Sequence, residues 1–490
     1  MQQWIHLSNK DRISKFFIFF FLILPSIEIY PQNNIDQSIL SNLNKTLDLA
    51  YNGKFTKQVK TDSLKKYFFK LNTIDNDSTR LRNKFKIINR LVYVNANNLE
   101  KEYIEKVKDE AISINDKFNL AKSYDYLGNY FLEEFELDSA LHYLNKSEKF
   151  FVKKNNAKYL SFNYSSKAKI YTYINDYNKA LDYNFKALKQ AKNSKNLQSA
   201  LFAYQNIFIT LGKLNQPEEA FKYYQKAIVV IEKNKQQLGK NYYSYKAQAN
   251  NFMGSVYLKA ENYIKAQELY QKGLEAKEIK NIFPSLHAAL LDNLTYARYK
   301  RGDTTDVEQN LERALFLKDS LEKPAIAVQT HLRLAEWHFN QNELAQSKQY
   351  AEQAYKDAKE YNIIDEELQA LDQLAQSDPE NQSTHFKKYI RIKDSLIAQE
   401  RVTRNKFARI EYETQEVEKQ NALTQLENEK LLREKAQLVV GSAFIILVIG
   451  FTYVNYRKKA REKLLLARQS EQQTKEEIMD LILDQQKQLT

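Results

Sequence analysis

Few residues in this sequence are suited to covalent chemistry. It has no cysteine and six histidines. Without cysteine there is no thiolate nucleophile, no disulfide and no thiolate metal site. His331 and His338 are seven apart and share one face of a helix, but no set of carboxylates completes a metal site around them. They read as packing or surface residues. A phosphate-cradling loop needs glycines close together, so that backbone N–H groups reach the phosphate. The candidate pair, Gly441 and Gly450, is nine apart inside an apolar run. Neither H-E-x-x-H nor G-x-S-x-G occurs. The sequence therefore predicts no catalytic residue, no cofactor, no metal and no enzymatic activity. Binding by surfaces is what remains, and the elements below must position it.

The apolar run is Leu438 to Val454, LVVGSAFIILVIGFTYV, without charge or proline. With Asn455 and Tyr456 it is about long enough to cross the roughly 30 Å apolar core of a bilayer. Arg457, Lys458, Lys459, Arg461 and Lys463 follow at once, while Glu434 and Lys435 roughly cancel before it. Basic flanks stay cytoplasmic, so the expectation is a single pass of the cytoplasmic membrane, 438–456, with the C-terminus inside. Residues 1–30 resemble a secretory signal. Lys10, Arg12 and Lys15 precede the short apolar run Phe16 to Leu24, and no clear cleavage site follows. Cleaved or retained as an anchor, this segment directs residues from about 31 onward across the membrane.

The 490 residues include only 9 Gly and 6 Pro, which disfavours turn-rich sheet folds and predicts an all-α chain. The formal charge of +13 is spread over the outer region without an arginine-rich arm. It reads as a solvated surface, and nucleic acid is not an expected partner.

From about Asn119 the sequence repeats. Tyr124, Leu127, Gly128, Phe131, Ala140 and Leu144 form one unit; Tyr164, Ala168, Tyr171, Ala180 and Ala187 the next. Tyr204, Ile207, Leu211, Ala220, Tyr224 and Ala227 form a third; Met253, Gly254, Tyr257, Ala266, Tyr270 and Gly273 a fourth. Weaker units follow around Gly302 and Ala335. Ala140, Ala180 and Ala220 are spaced by forty. A small residue on a first helix admits a second helix, and Tyr and Leu fill the flanks. Asn175-Asp176-Tyr177, Leu214 to Pro217 and Arg301-Gly302-Asp303 read as turns, and Pro217, Pro284, Pro324 and Pro379 fall between helices.

This pattern resembles the tetratricopeptide repeat family over 119–395. It departs in having longer units, Tyr in place of the first-helix Trp, and no terminal proline. Residues 31–118 read as degenerate capping repeats. The resemblance implies an α-solenoid whose first helices line a concave, peptide-binding face. The residues expected there are Asp125 with Asn129, Ser165 with Lys169, Gln205 with Ile209 and Asn251 with Ser255, each pair four apart on one face, and nearby Tyr173.

Beyond the repeats, Leu396, Thr403, Ile410, Val417, Thr424, Leu431 and Leu438 recur every seven residues. With Phe407, Thr414, Asn421 and Asn428 they make a two-stranded seam with many polar positions. Residues 396–437 are thus expected to be a coiled coil forming a weak parallel homodimer, and 457–490 a short cytoplasmic helical stalk. The order of segments, with RNKFARIEYET at 404–414 and EEIMDLILDQQKQL at 476–489, resembles the sensor half of bacterial repeat-containing membrane histidine kinases. In that family a phosphorylated histidine and an ATP-binding domain follow. Here the last histidine is His385, ahead of the membrane run. The expectation is a membrane-anchored sensor that binds a peptide or protein and signals to a cytoplasmic kinase or regulator, with the chain either a fragment or a short form. The alternative is a membrane-tethered scaffold for an envelope complex.

Overall fold

Eight successive helices of seventeen residues, joined by three-residue turns, set the architecture. They are α3 (Asp77–Tyr93), α4 (Asn97–Ser113), α5 (Lys117–Glu133), α6 (Leu137–Lys153), α7 (Ala157–Tyr173), α8 (Tyr177–Asn193), α9 (Leu197–Lys213) and α10 (Pro217–Lys233). Two helices precede them, α1 (Asn34–Leu49) and α2 (Lys57–Lys70). The computed structural model describes residues 34–50, 55–94, 96–320 and 324–488; the expected leader lies outside them. No strand occurs among the described residues.

One turn geometry recurs every twenty residues. Asn115, Phe135, Asn155, Asn175, Lys195 and Asn215 all have φ between 50° and 58°. The next residue's N–H then reaches back to a carbonyl in the last helical turn, as in Asp116 to Ala111 at 2.8 Å and Asp176 to Tyr171 at 2.9 Å. This left-handed closure uses carbonyls that the helix end leaves without partners. Asn tolerates it; Phe135 and Lys195 adopt it at a cost of roughly 1–2 kcal/mol. Asp116, Asn156, Asp176 and Asn196 then cap the following helix, each accepting from a backbone N–H three residues on. Each cap is worth about 1 kcal/mol.

Within a hairpin the first (A) helix meets the second (B) helix through small residues. A Cβ on Gly128 would lie 2.7 Å from the Leu144 side chain, and one on Gly254 2.6 Å from the Tyr270 ring. Ala140, Ala180, Ala187, Ala220 and Ala227 are all buried. The third unit departs from the rule: Phe208 stands at the small-residue position, buried, edge-on to Tyr224 at 6.1 Å. The hairpins share one elongated core running from Ala121 to Ala297.

The second half is less regular. It comprises α11 (Lys235–Leu238), α12 (Asn241–Lys259), α13 (Tyr263–Leu274), α14 (Glu278–Ile282), α15 (Pro284–Lys300), α16 (Val307–Asp319), α17 (Val328–Asn340), α18 (Leu344–Glu360), α19 (Ile364–Ser377) and α20 (Gln382–Gln488). Pro217 and Pro284 open helices, where a missing N–H costs nothing, and Pro324 and Pro379 lie in short 3-10 turns. The long helix begins at Gln382, ahead of the heptads that start at Leu396. The chain divides into a first unit ending at Arg404 and a second beginning at Asn405. Among the described residues the second unit is the part of helix α20 from Asn405 onward. It contains the one described helical segment long and apolar enough to cross a membrane. The apolar side chains of the run 438–454 are exposed, Leu438 at 74 % and Leu447 at 71 %.

Gly254→Ala tests the close approach. In an open helix this change stabilises by about 1 kcal/mol. Against the Tyr270 ring it is expected to destabilise by about 1–3 kcal/mol, seen as a lower urea midpoint by circular dichroism. A higher midpoint would show that the ring has room.

Candidate peptide groove

The A helices form one wall. Successive A helices (α5, α7, α9, α12, α15) approach one another more closely than successive B helices do, so the stack curves with the A helices inside. A repeat near forty residues brings side chains of neighbouring A helices to one height, and hydrogen bonds join them. Ser166 Oγ donates to Asn129 Oδ1 at 2.6 Å, and Lys169 Nζ pairs with Glu133 at 2.7 Å, joining α7 to α5. Asn293 Nδ2 donates to Asn251 Oδ1 at 2.9 Å, and Arg333 donates to Asn293 at 2.8 Å, joining α12, α15 and α17. Glu336 of α17 accepts from Tyr296 and Lys300 of α15.

Of the nine expected residues, Ile209 is half-buried and packs against the core; the other eight fall into four groups. Asn129, Lys169, Asn251 and Ser255 are half-buried on the wall and already bonded, Ser255 also to the Tyr270 hydroxyl at 3.2 Å. Tyr173 is half-buried, its ring 4.9 Å from Phe135 with Lys169 Nζ at 5.6 Å. Gln205 is half-buried and is the one of the eight without a side-chain hydrogen bond among the described residues. Asp125 and Ser165 depart from expectation, because both are buried. Asp125 accepts from Asn163 Nδ2 at 3.1 Å and Ser147 Oγ at 3.5 Å; the next hairpin packs over it. Ser165 donates to the Ser161 carbonyl of its own helix. Spacing by four fixed the helix face but not which member lies under the neighbouring hairpin.

Two features escaped sequence reasoning. One is a positive end to the wall. Lys122 Nζ lies 4.0 Å from the Phe85 ring centroid and 5.7 Å from that of Tyr126, a cation held on aromatic faces. Burial, then the positive charge of Lys158, push Lys122 down to about 7; Arg82 and Lys86 add to the repulsion. The second is a buried charge cluster. Asp292 pairs with Lys318 at 2.5 Å and Arg333 at 2.7 Å and accepts from Thr330 at 2.9 Å. Arg333 also lies over the Tyr296 ring at 4.5 Å. Despite burial, the two cations hold the Asp292 carboxyl well below the usual range. The histidines play structural parts: His338 stacks on Tyr350 and bonds Glu343 at 2.6 Å, and His331 lies 3.8 Å from Asp357. No group of residues suited to holding a metal ion occurs among the described residues.

No family model and no curated protein matches the sequence. Among solved structures, the apo form of RapI is similar at TM-score 0.52 and 13 % identity, over 75 % of this chain and 99 % of RapI. The apo form of the quorum sensor NprR from B. thuringiensis gives 0.49 and 15 %, over 74 % and 99 %. A Rap protein complexed with competence and sporulation factor gives 0.49 and 13 %, over 74 % and 99 %. At such identities the likeness is one of fold: this chain is an all-helical, tetratricopeptide-like solenoid.

Two measurements check the electrostatics. Burial raises Asp125 from the ordinary aspartate value to about 6. Between about pH 4 and 6 the folded chain holds a proton there that the unfolded chain releases. Asp125 therefore lowers stability by up to about 3 kcal/mol as pH rises through that window. Asp125→Asn is expected to flatten the dependence of urea midpoint on pH between 4 and 6.5. A slope equal to that of the parent would contradict the assignment. Limited acetylation at pH 7.5 with peptide mapping should modify Lys122 ahead of solvated lysines such as Lys189, because its amine is largely neutral there. Equal rates would refute the depressed value.

Proposed function

We propose that the solenoid binds a peptide, or an extended segment of a protein, along the A-helix wall outside the cytoplasmic membrane. Residues 438–456 cross the membrane, the C-terminal helix lies in the cytoplasm, and a dimeric long helix relays occupancy to a cytoplasmic kinase or regulator. The wall itself is the observation that carries the reading. Its polar side chains are fixed in place by bonds between hairpins, so little ordering is left for a ligand to impose. Within it Gln205 offers an amide without a partner among the described residues, able to donate to and accept from a peptide backbone. Asn129, Lys169, Tyr173, Asn251 and Ser255 flank it along the wall; Asp125 and Ser165 support it from beneath. Arg82, Lys86 and Lys158, the cations around the Lys122 amine, give one end a positive charge, which favours an acidic ligand residue there. Resemblance to the sensor half of membrane histidine kinases supports the relay, and the basic residues after Val454 support the orientation.

A photoreactive phenylalanine analogue placed at Gln205 in intact cells should yield a discrete peptide adduct, with none from the same analogue at Lys189 on helix α8. Equal or absent labelling at the two positions would argue against the groove. Single cysteines at Thr424 and Ser470 test orientation: an impermeant maleimide should reach the first in whole cells and the second only after lysis.

A further inference from the structure

The part of helix α20 that belongs to the first unit touches the turn between α7 and α8. Arg404 Nε donates to the Ile174 carbonyl at 3.1 Å, and its terminal nitrogen donates to the Asn175 carbonyl at 3.2 Å. Asn175 Nδ2 donates to Glu400, and Asn175 Oδ1 accepts from the Tyr177 hydroxyl at 2.7 Å. These contacts join positions more than two hundred residues apart, all within the first unit. The chemistry is matched. Ile174 and Asn175 end helix α7, where carbonyls carry partial negative charge, and a planar guanidinium answers two of them at once. Glu400 and Arg404 are one helical turn apart, so they grip the same turn together.

A continuous face of α20 is covered as a result. Ile392, Leu396, Glu400 and Thr403 are half-buried, while Lys393, Asp394, Arg401 and Val402 beside them are exposed. Leu396 and Thr403 are also the first two members of the heptad seam. One face cannot lie on its own solenoid and on a second helix together.

We propose that the Glu400–Arg404 clasp on the α7–α8 turn withholds the start of the seam from a second copy of this chain, so that clasped monomer and zipped dimer are alternative states. Helix α7 supplies the link to the groove. Tyr173 and Lys169 lie on the wall, and Tyr173 is the residue immediately before the clasped Ile174 carbonyl. What opens the clasp, on the groove reading, is a ligand bearing on those two side chains; the clasp itself can be tested without one.

The cysteine-free chain makes the test direct. In membranes, a single Thr424→Cys within the seam is oxidised and covalent dimer is followed with time. Adding Arg404→Ala or Glu400→Ala should raise the rate at least threefold, while Arg401→Ala, on the exposed side, should leave it unchanged. Equal rates in all variants would overturn the exclusion. Separately, Asn175→Cys with Glu400→Cys should be joined within one chain by a short bis-maleimide. Reactive thiols that yield no intrachain product would overturn the clasp. If Gln205 captures no peptide while Arg404→Ala still accelerates dimer formation, the clasp stands and the groove reading falls.

Discussion

A residue held at positive φ closes six helices in succession, twenty positions apart, and in four of the six turns the next residue's side chain caps the helix that follows. Because the same turn follows each of these six helices, helix length there is held at seventeen residues and neighbouring hairpins are set at a constant offset. Residues about forty apart then arrive at one height on the inner wall. Ser166 meets Asn129, and Lys169 meets Glu133, for this reason. The alignment of the inner wall is thus a product of the turn: repetition of one backbone conformation brings the side chains of neighbouring A helices to one height.

An apolar stack by itself tolerates sliding, since one leucine serves nearly as well as another. Charged partners between elements do not. Lys84 and Arg80 share Glu110, Lys167 bonds Glu148 and Asn145, and Asp292 collects Lys318, Arg333 and Thr330. Each set draws on neighbouring helices or hairpins. Displacing one member strands a buried charge at a cost of about 3–5 kcal/mol. Such clusters add little net stability, because desolvation offsets their attraction. Their effect is to make a shifted register far worse than the correct one. The irregular second half, where turns vary, holds the most deeply buried of them.

The hairpin spacing, the all-helical class and the turns at Asn175 and Pro217 were legible in the sequence because each depends on residues close in the chain. Small residues at 128 and 254 announced the close approach of two helices. The Phe135 and Lys195 turns were not legible, since neither residue type favours positive φ. Asp125 was placed on the groove because periodicity identifies a helix face, whereas burial depends on what covers that face. The Asp292 cluster was invisible for a related reason: its members come from three helices. The Lys122 site required Phe85, a partner in the preceding hairpin. Local rules read local structure, and the missed contacts all arise between hairpins.

The turn that ends an A helix is the same as the turn that ends a B helix, and this bears on how the chain can change in length. Gaining one helix with its turn would leave every cap intact but exchange the inner and outer roles of all that follows, setting bulky residues where glycine or alanine is needed. Gaining a whole hairpin would preserve both. Viable indels are therefore expected to come in pairs of helices, each duplication extending the wall by one rung and needing no new turn chemistry.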